Sequence, residues 1–288
     1  MIDAPKDSTP SASLERGGED GRMATVLQVL PALGASGGVE RGTVEIAGAV
    51  VEAGGRALVA SAGGPMTHDL KRVGAEHVPL PVDSKNIFTM RANVGRLANL
   101  IRTEKVDIVH ARSRAPAWSA FFAAKQTGTH FITTFHGTYS AGNWLKRRYN
   151  SIMTRGERVI ALSGFIAGHV RRVYGVPPSR IRVIHRGVDL ARFDPAEVGA
   201  ERVVTLAAEW RLPDGVPVVM LPGRLTRWKG QAVFIRAIAE LGRRDIRCIL
   251  VGSDQGRFGR GGADRRSLRR HACGLYADRP GGFGLDRS

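Results

Sequence analysis

From Met23 to His185 the chain repeats one pattern: a short run of β-branched and apolar residues, a glycine-bearing or polar turn, then an amphipathic stretch of helical length. The runs are "TVLQVL" (25–30), "RALVAS" (56–61), "HVPLPV" (77–82), "VDIVHA" (106–111), "HFITTF" (130–135), "RVIALS" (158–163) and "RIRVIH" (180–185). Between them lie "GGVERGTVEIAGAVVEAGG", "MTHDLKRVGA", "NIFTMRANVGRLANLIRTEK", "PAWSAFFAAKQTG", "NWLKRRYNSIMTRGE" and "SGFIAGHVRRVYGV". A helix between successive strands carries the chain back across the sheet, so the strands run parallel and both faces are covered. The predicted class is α/β, with a complete, doubly wound, Rossmann-like N-terminal domain and a partial second domain of the same type.

The segment "LARFDPAEVGAERVVTLAAEWRLPDG" holds two prolines, shows no sustained apolar period and ends in an Asp-Gly turn signal. It reads as an interdomain connection. A second βα series then opens with "VPVVMLPGR", a helix from about Lys229 to Gly242, and the strand "IRCILVGSD". After it the pattern stops. Residues 258–288 contain seven Gly and seven Arg but only three Leu, with no Val, Ile or Met, a composition that favours disorder over buried strands. The expected division is a disordered extension over 1–22, an N-terminal domain over 23–190, a connection over 191–215, a partial second domain of two strands and one helix over 216–257, and a disordered Arg/Gly-rich tail over 258–288. Two strands and one crossover leave an apolar face uncovered. An abrupt change of this kind is what a reading-frame shift in a GC-rich gene produces, and a genuine basic tail is the alternative.

Lys and Arg outnumber Asp and Glu by 43 to 26, for a formal charge of +17. That excess favours anionic partners without choosing among nucleic acid, an anionic lipid surface and phosphorylated ligands. No helix-turn-helix, RNP, KH or zinc pattern supports nucleic acid. The two cysteines, Cys248 and Cys273, offer neither a disulfide framework nor a C-x-x-C metal site, so a reducing, cytoplasmic compartment is expected and no metal or cofactor is. The polar N-terminus has no apolar core of a secretory signal, and no run approaches the roughly 20 apolar residues of a membrane span.

Chemistry is expected where strands end and helices begin, because that rim binds ligands in open α/β sheets and helix N-termini attract anions. In "GRLTRWKG", Arg224 and Lys229 follow an apolar run, one able to grip phosphate bidentately and the other acting as a point charge. In "LPALGASGGVER", Gly37 and Gly38 let backbone approach a phosphate closely, although the pattern is not G-x-G-x-x-G. His136 stands just beyond a strand end in "TTFHGTYS", as His110 and His185 do in their own segments. The stretch "NWLKRRYNSIMTRGER" mixes aromatics with Lys146, Arg147, Arg148 and Arg155. It reads either as a helix that docks on anionic lipid or as one packed on its own sheet.

In order along residues 24–257, "GGVE", "TTFHGTYS", "RVIALSGFIAGHV", "RIRVIHRGVDLARFDP" and "VPVVMLPGRLTRWKGQAVFIRAIAEL" followed by "CILVGSD" resemble the retaining glycosyltransferases of family 4, the "group 1" transferases of GT-B architecture. The resemblance implies transfer of a sugar from a nucleotide-diphosphate donor to a glycan or lipid-linked acceptor, with retention and no obligatory metal. It implies that Arg224 and Lys229 hold the donor diphosphate together with Gly37 and Gly38, that His136 lies near the transferred sugar in a catalytic role, and that Ser163 lines the cleft. Envelope or polysaccharide assembly is the implied setting. Two departures stand out. The family's E-x7-E motif does not occur after Asp254, so turnover by this chain is expected to be impaired, and a non-enzymatic remnant or binding module is the alternative. His185 and Arg186 stand where the family frequently has proline and asparagine.

Overall fold

A computed structural model describes residues 23–35, 37–190, 193–226 and 229–252, and the backbone of 273–276. The proposed extension 1–22 and all of the tail except 273–276 lie outside the described residues. The chain divides into two compact units, Met1–Gly187 and Val188–Ser288.

In the first unit seven strands, β1 (Thr25–Val29), β2 (Arg56–Ser61), β3 (Glu76–Pro79), β4 (Ile108–Ala111), β5 (His130–Phe135), β6 (Arg158–Ala161) and β7 (Ile181–Val183), form one sheet in the order β3-β2-β1-β4-β5-β6-β7. Every pairing is parallel. The six helices between them are α1 (Gly38–Glu52), α2 (Thr67–Arg72), α3 (Ile87–Thr103), α4 (Arg114–Thr127), α5 (Trp144–Asn150) and α6 (Gly164–Tyr174), with a 3-10 turn at Ser151–Thr154 after α5. The strand order reverses between β1 and β4, and that reversal opens a crevice beyond their carboxyl ends.

The period of two within each strand divides the core. Leu27, Val29, Leu58, Ala60, Val109 and Ala111 point to one face, where they bury with Leu97 and Ile101 of α3, Ala117 and Ala120 of α4 and Val170 of α6. Ala57 and Val59 point to the other, against Val44 and Ala47 of α1 and Leu70 of α2. Alanines on α4 let it lie close against α3, where the Ser119 hydroxyl donates to the Met90 carbonyl at 2.8 Å. Each fully buried leucine or phenylalanine adds about 1.5–3 kcal/mol of transfer free energy, which makes this double-faced core the main source of stability.

One turn requires glycine outright. At Gly64, after β2, φ is +140° and a Cβ would lie 2.2 Å from the Leu33 carbonyl oxygen. That close approach ties the β2–α2 turn to the end of β1, where Leu33 N–H donates to Gly63 O and Met66 N–H to Leu33 O.

The second unit holds α7 (Ala200–Glu209), β8 (Val218–Pro222), α8 (Gln231–Leu241), β9 (Arg247–Val251) and β10 (Cys273–Tyr276). Its parallel sheet runs β10-β9-β8. Two findings differ from the sequence expectation. The segment read as an irregular connection contains α7, a helix with no buried residue. Its residues are nonetheless amphipathic, and alanine and glutamate favour the helix on propensity. The tail contributes β10, a short run that pairs with β9 although its composition argues against a strand. Backbone pairing to an existing strand makes smaller demands on sequence than independent folding does. Ile235, Cys248 and Leu250 form the core of this unit, while Val218, Val219 and Met220 on β8 remain exposed.

Candidate functional site

Three strands and one helix build a polar row at the carboxyl rim of the first sheet. Gln28 of β1 pairs in register with His110 of β4, and His110 with Ile132 of β5, so the period of two brings Gln28, His110, Thr134, Arg112 and His136 to the face opposite Leu27 and Val109. All but His136 are buried. Gln28 anchors the row: its amide donates to the Thr43 carbonyl of α1 at 3.0 Å, and its side-chain oxygen accepts from Arg112 Nη1 at 3.1 Å. Thr134 Oγ1 and His110 Nε2 lie 2.7 Å apart.

Arg112 is only 4% exposed, and its Nε is buried without a hydrogen-bond partner. Burial, with the nearby Arg186 cation adding to it, pulls its pKa down to about 10, which still leaves the guanidinium charged at neutral pH. Arg186, just beyond β7, reaches back to α1. Its Nη1 donates to the Gly38 carbonyl and its Nη2 to Glu45 Oε2 at 3.2 Å. The missing side chain of Gly42 makes room for both arginines, since a Cβ there would lie 2.9 Å from Arg186 Nη2 and 3.2 Å from Arg112 Nη2.

His136 follows β5, and both of its ring nitrogens are buried without a partner. Burial first, then the cations Arg112 and Arg186, push its pKa down to about 3. The ring is therefore neutral at physiological pH, able to donate one hydrogen bond and accept another but not to serve as a cation. His110 is held well below its ordinary value by burial, with Arg112 and His136 adding to it. The loop that carries His136 is held by Arg114, whose guanidinium lies 4.4 Å from the centre of the Tyr139 ring and donates to Asn150 Oδ1 at 2.8 Å. The Asn150 amide in turn donates to the Ser140 carbonyl at 3.0 Å.

The other residues singled out from the sequence fall as follows. Gly37 is the N-cap of α1 and offers no side-chain cap, which leaves backbone donors for a ligand. The Glu40 carboxylate folds over it, so closely that a Cβ on Gly37 would lie 1.6 Å from Glu40 Oε2. A phosphate at Gly37 therefore requires Glu40 to swing aside. Ser163 caps α6, its hydroxyl accepting from Ile166 N–H at 3.2 Å, a structural task the sequence reading did not anticipate. On α5 only Asn150 is buried, while Trp144 and Leu145 are exposed beside Lys146, Arg147 and Arg148.

Arg224 and Lys229 belong to the second unit, where they flank the turn from β8 to α8. The Arg224 carbonyl accepts from Gln231 Nε2 at 2.9 Å, and the Lys229 stem passes 3.9 Å from the Cβ position of Gly223. The turn meets the end of β9 at Gly252, where φ is +155° and a Cβ would lie 2.0 Å from Gly223 O. Thus Gly37, Gly38 and His136 share one rim with Arg112 and Arg186, and Arg224 and Lys229 share another. Sequence reasoning missed Arg112. Its signal was a polar residue recurring every second position, His110 then Arg112 and Thr134 then His136, in segments otherwise apolar.

Among the described residues, no group of three or more His, Cys, Asp or Glu side chains is placed to hold a metal ion, and no helix is long and apolar enough to cross a membrane.

The sequence profile of the family described as Glycosyltransferase Family 4 matches residues 36–192. A D-inositol 3-phosphate glycosyltransferase of Salinispora arenicola is 37% identical over 183 residues, covering 59% of this chain and 40% of that protein. Another protein of that name, from Nocardia farcinica, is 35% identical over 109 residues, covering 36% of this chain and 23% of its own length. The chain thus spans less than half the length of these curated relatives. Among solved structures, a glycosyltransferase of Rickettsia africae is 37% identical with a TM-score of 0.75, covering 89% of this chain and 68% of that one. Anabaena Alr3699/HepE in complex with UDP-glucose superposes with a TM-score of 0.73 at 18% identity, covering 89% of this chain and 69% of that one, a likeness of fold.

Proposed function

The chain belongs to glycosyltransferase family 4, and on that premise we propose that it serves in transfer of a sugar from a nucleotide-diphosphate donor to an acceptor hydroxyl, with retention at the anomeric carbon. The observation that carries this reading is the pair of cations, Arg224 and Lys229, at the β8–α8 turn, where a helix begins beyond the end of a parallel strand. The leaving group of such a reaction is a nucleoside diphosphate. Fixed cations aimed at it stabilise the charge that develops as the glycosidic bond breaks. Gly37 and Gly38 at the α1 N-terminus of the first unit offer backbone donors suited to a phosphate of such a donor once Glu40 has moved. His136, neutral and unpartnered, is suited to hydrogen-bond a hydroxyl of the transferred sugar, and Ser163, beyond its capping bond, to line the cleft.

The UDP-glucose bound by HepE makes uridine nucleotides the first donors to try. For the acceptor, envelope or polysaccharide assembly is the setting we propose, and the names of the inositol 3-phosphate relatives add a phosphorylated polyol to that list. We place the protein in the cytoplasm. Exposed Trp144 and Leu145 beside three basic residues on α5 support peripheral contact with anionic lipid, which sedimentation with anionic liposomes tests. The functional experiment is release of nucleoside diphosphate by the purified 288-residue chain, with the anomeric configuration of the product read by proton NMR. Turnover with a retained anomer supports the reading, and an inverted product overturns the retaining part. Donor binding without turnover favours a binding module.

A further inference from the structure

Two guanidiniums converge on one buried glycine, where a protein without a ligand has little reason to place them. Arg112 and Arg186 both come within 3.2 Å of the Cβ position of buried Gly42, on the first turns of α1. Like charges at that separation repel, and burial of Arg112 strengthens the repulsion by lowering the local dielectric. The described neighbours offset it only in part: the Glu45 carboxylate favours the Arg112 cation, but less than burial and Arg186 oppose it. Glu45 bonds Arg186 alone, both of those side chains being partly exposed, and Glu40 is folded over Gly37. Gln28, which accepts from Arg112, is neutral, and so are His110 and His136 at physiological pH.

The arrangement is nonetheless built. Arg112 is 96% buried, since 4% of it is exposed, and it is held by a relay from the α1 backbone through Gln28. Its Nε has no partner, and both nitrogens of the neighbouring His136 lack one too. Two forked cations beside an uncapped helix N-terminus, with unused polar atoms next to them, make an acceptor-rich anion the complementary occupant. We propose that Arg112 and Arg186, laid across the glycine face of α1, form a binding subsite for one phosphate group. This subsite belongs to the first unit, whereas Arg224 and Lys229 belong to the second, and it deepens the transferase reading, on which it rests for the source of its phosphate: a nucleoside diphosphate or a phosphorylated acceptor. A planar fork meets a phosphate through two parallel bonds, so Arg186→Lys is not a neutral exchange here.

The test uses the full chain, labelled with nitrogen-15, titrated with inorganic phosphate while the Nε–H resonance of Arg112 is followed. A saturable shift is expected, with affinity at least tenfold weaker in Arg186→Gln and unchanged in Arg72→Gln, which removes the same charge from an exposed position. Arg112→Lys is the second variant and is expected to lose saturable phosphate binding, read from the amide of Gly42. No saturable shift, or equal binding in Arg186→Gln and Arg72→Gln, overturns the proposal. Competition then identifies the source. Displacement of phosphate by UDP assigns the subsite to the donor, and displacement by D-myo-inositol 3-phosphate but not UDP assigns it to the acceptor. Displacement by neither marks an adventitious ion only and overturns the assignment. The donor reading fails on a different residue: if UDP binding is indifferent to Arg224→Ala, that reading is lost while the phosphate subsite stands.

Discussion

Acid should unfold the first unit by charging two histidines that the fold keeps neutral. His136 has its pKa pushed from 6.5 down to about 3 by burial and by the Arg112 and Arg186 cations, and His110 is displaced in the same direction. The unfolded chain therefore binds protons that the folded unit refuses, so stability is complete above about pH 6.5 and falls as pH drops from there toward the folded values. Between pH 7.5 and pH 5.0 His136 alone removes about 2 kcal/mol, since its folded pKa of about 3 lies below that range and 1.5 pH units below an unfolded pKa of 6.5 correspond to roughly that much protonation free energy. His110 adds to the loss in the same direction, and the His136 share by itself is a sizeable fraction of a typical stability of about 5–15 kcal/mol. Urea unfolding at both pH values measures this, followed by fluorescence of Trp118 in a chain whose other tryptophans are phenylalanine. In His136→Phe the loss on acidification should shrink by about 2 kcal/mol, with the His110 share remaining. His77 and His169, also displaced downward but more exposed, are present in both chains and cancel in the difference. An equal loss in the two proteins, or less than about 1 kcal/mol in the parent, would refute the burial argument.

Three further outcomes follow from the packing. Gly64→Ala, with φ at +140° and a Cβ 2.2 Å from Leu33 O, should cost at least about 3 kcal/mol and lower Tm, whereas Gly137→Ala, with nothing within 4 Å, should leave Tm within about 2 °C. Leu97→Ala should cost about 2–5 kcal/mol in urea unfolding, because Leu97 is fully buried among the strands and α3. Glu40→Gln should tighten UDP binding about two- to fivefold by calorimetry, since it removes a carboxylate from over Gly37 at the α1 N-terminus.

The parallel sheet was legible because its causes are local. "RALVAS" and "HFITTF" form strands over the residues that spell them, Arg56–Ser61 and His130–Phe135. Helix α1 starts at Gly38, directly after the glycine turn. What was hidden depends on partners distant in sequence. The Gln28–Arg112 bond joins residues 84 apart, and Arg186 finds Gly38 across 148. No window of sequence contains both ends of such a contact, so Arg112 passed for one more basic residue and Arg186 for a departure from a family pattern. Helix α7 was missed for another reason: its ten residues are amphipathic, but they lie between Pro195 and Pro213 and an Asp-Gly turn signal, which dominated the reading. The strand β10 was missed because pairing with β9 supplies what its own residues lack. Of the candidate residues, Gly37, Gly38, Arg224 and Lys229 were singled out from turn position and the family resemblance, and they lie at strand-to-helix turns of their own units, while the charge state of His136 emerged only from its burial beside two arginines.

The most direct measurement of the central claim is equilibrium binding of UDP, GDP, ADP, CDP and dTDP to the 288-residue chain, repeated with Arg224→Ala and Lys229→Ala. A donor diphosphate held by these cations predicts binding of at least one nucleotide, weakened about ten- to a hundredfold by each substitution, as expected for loss of a charge-assisted hydrogen bond. Affinity unchanged in both variants, or no binding of any nucleoside diphosphate by the parent chain, would contradict it.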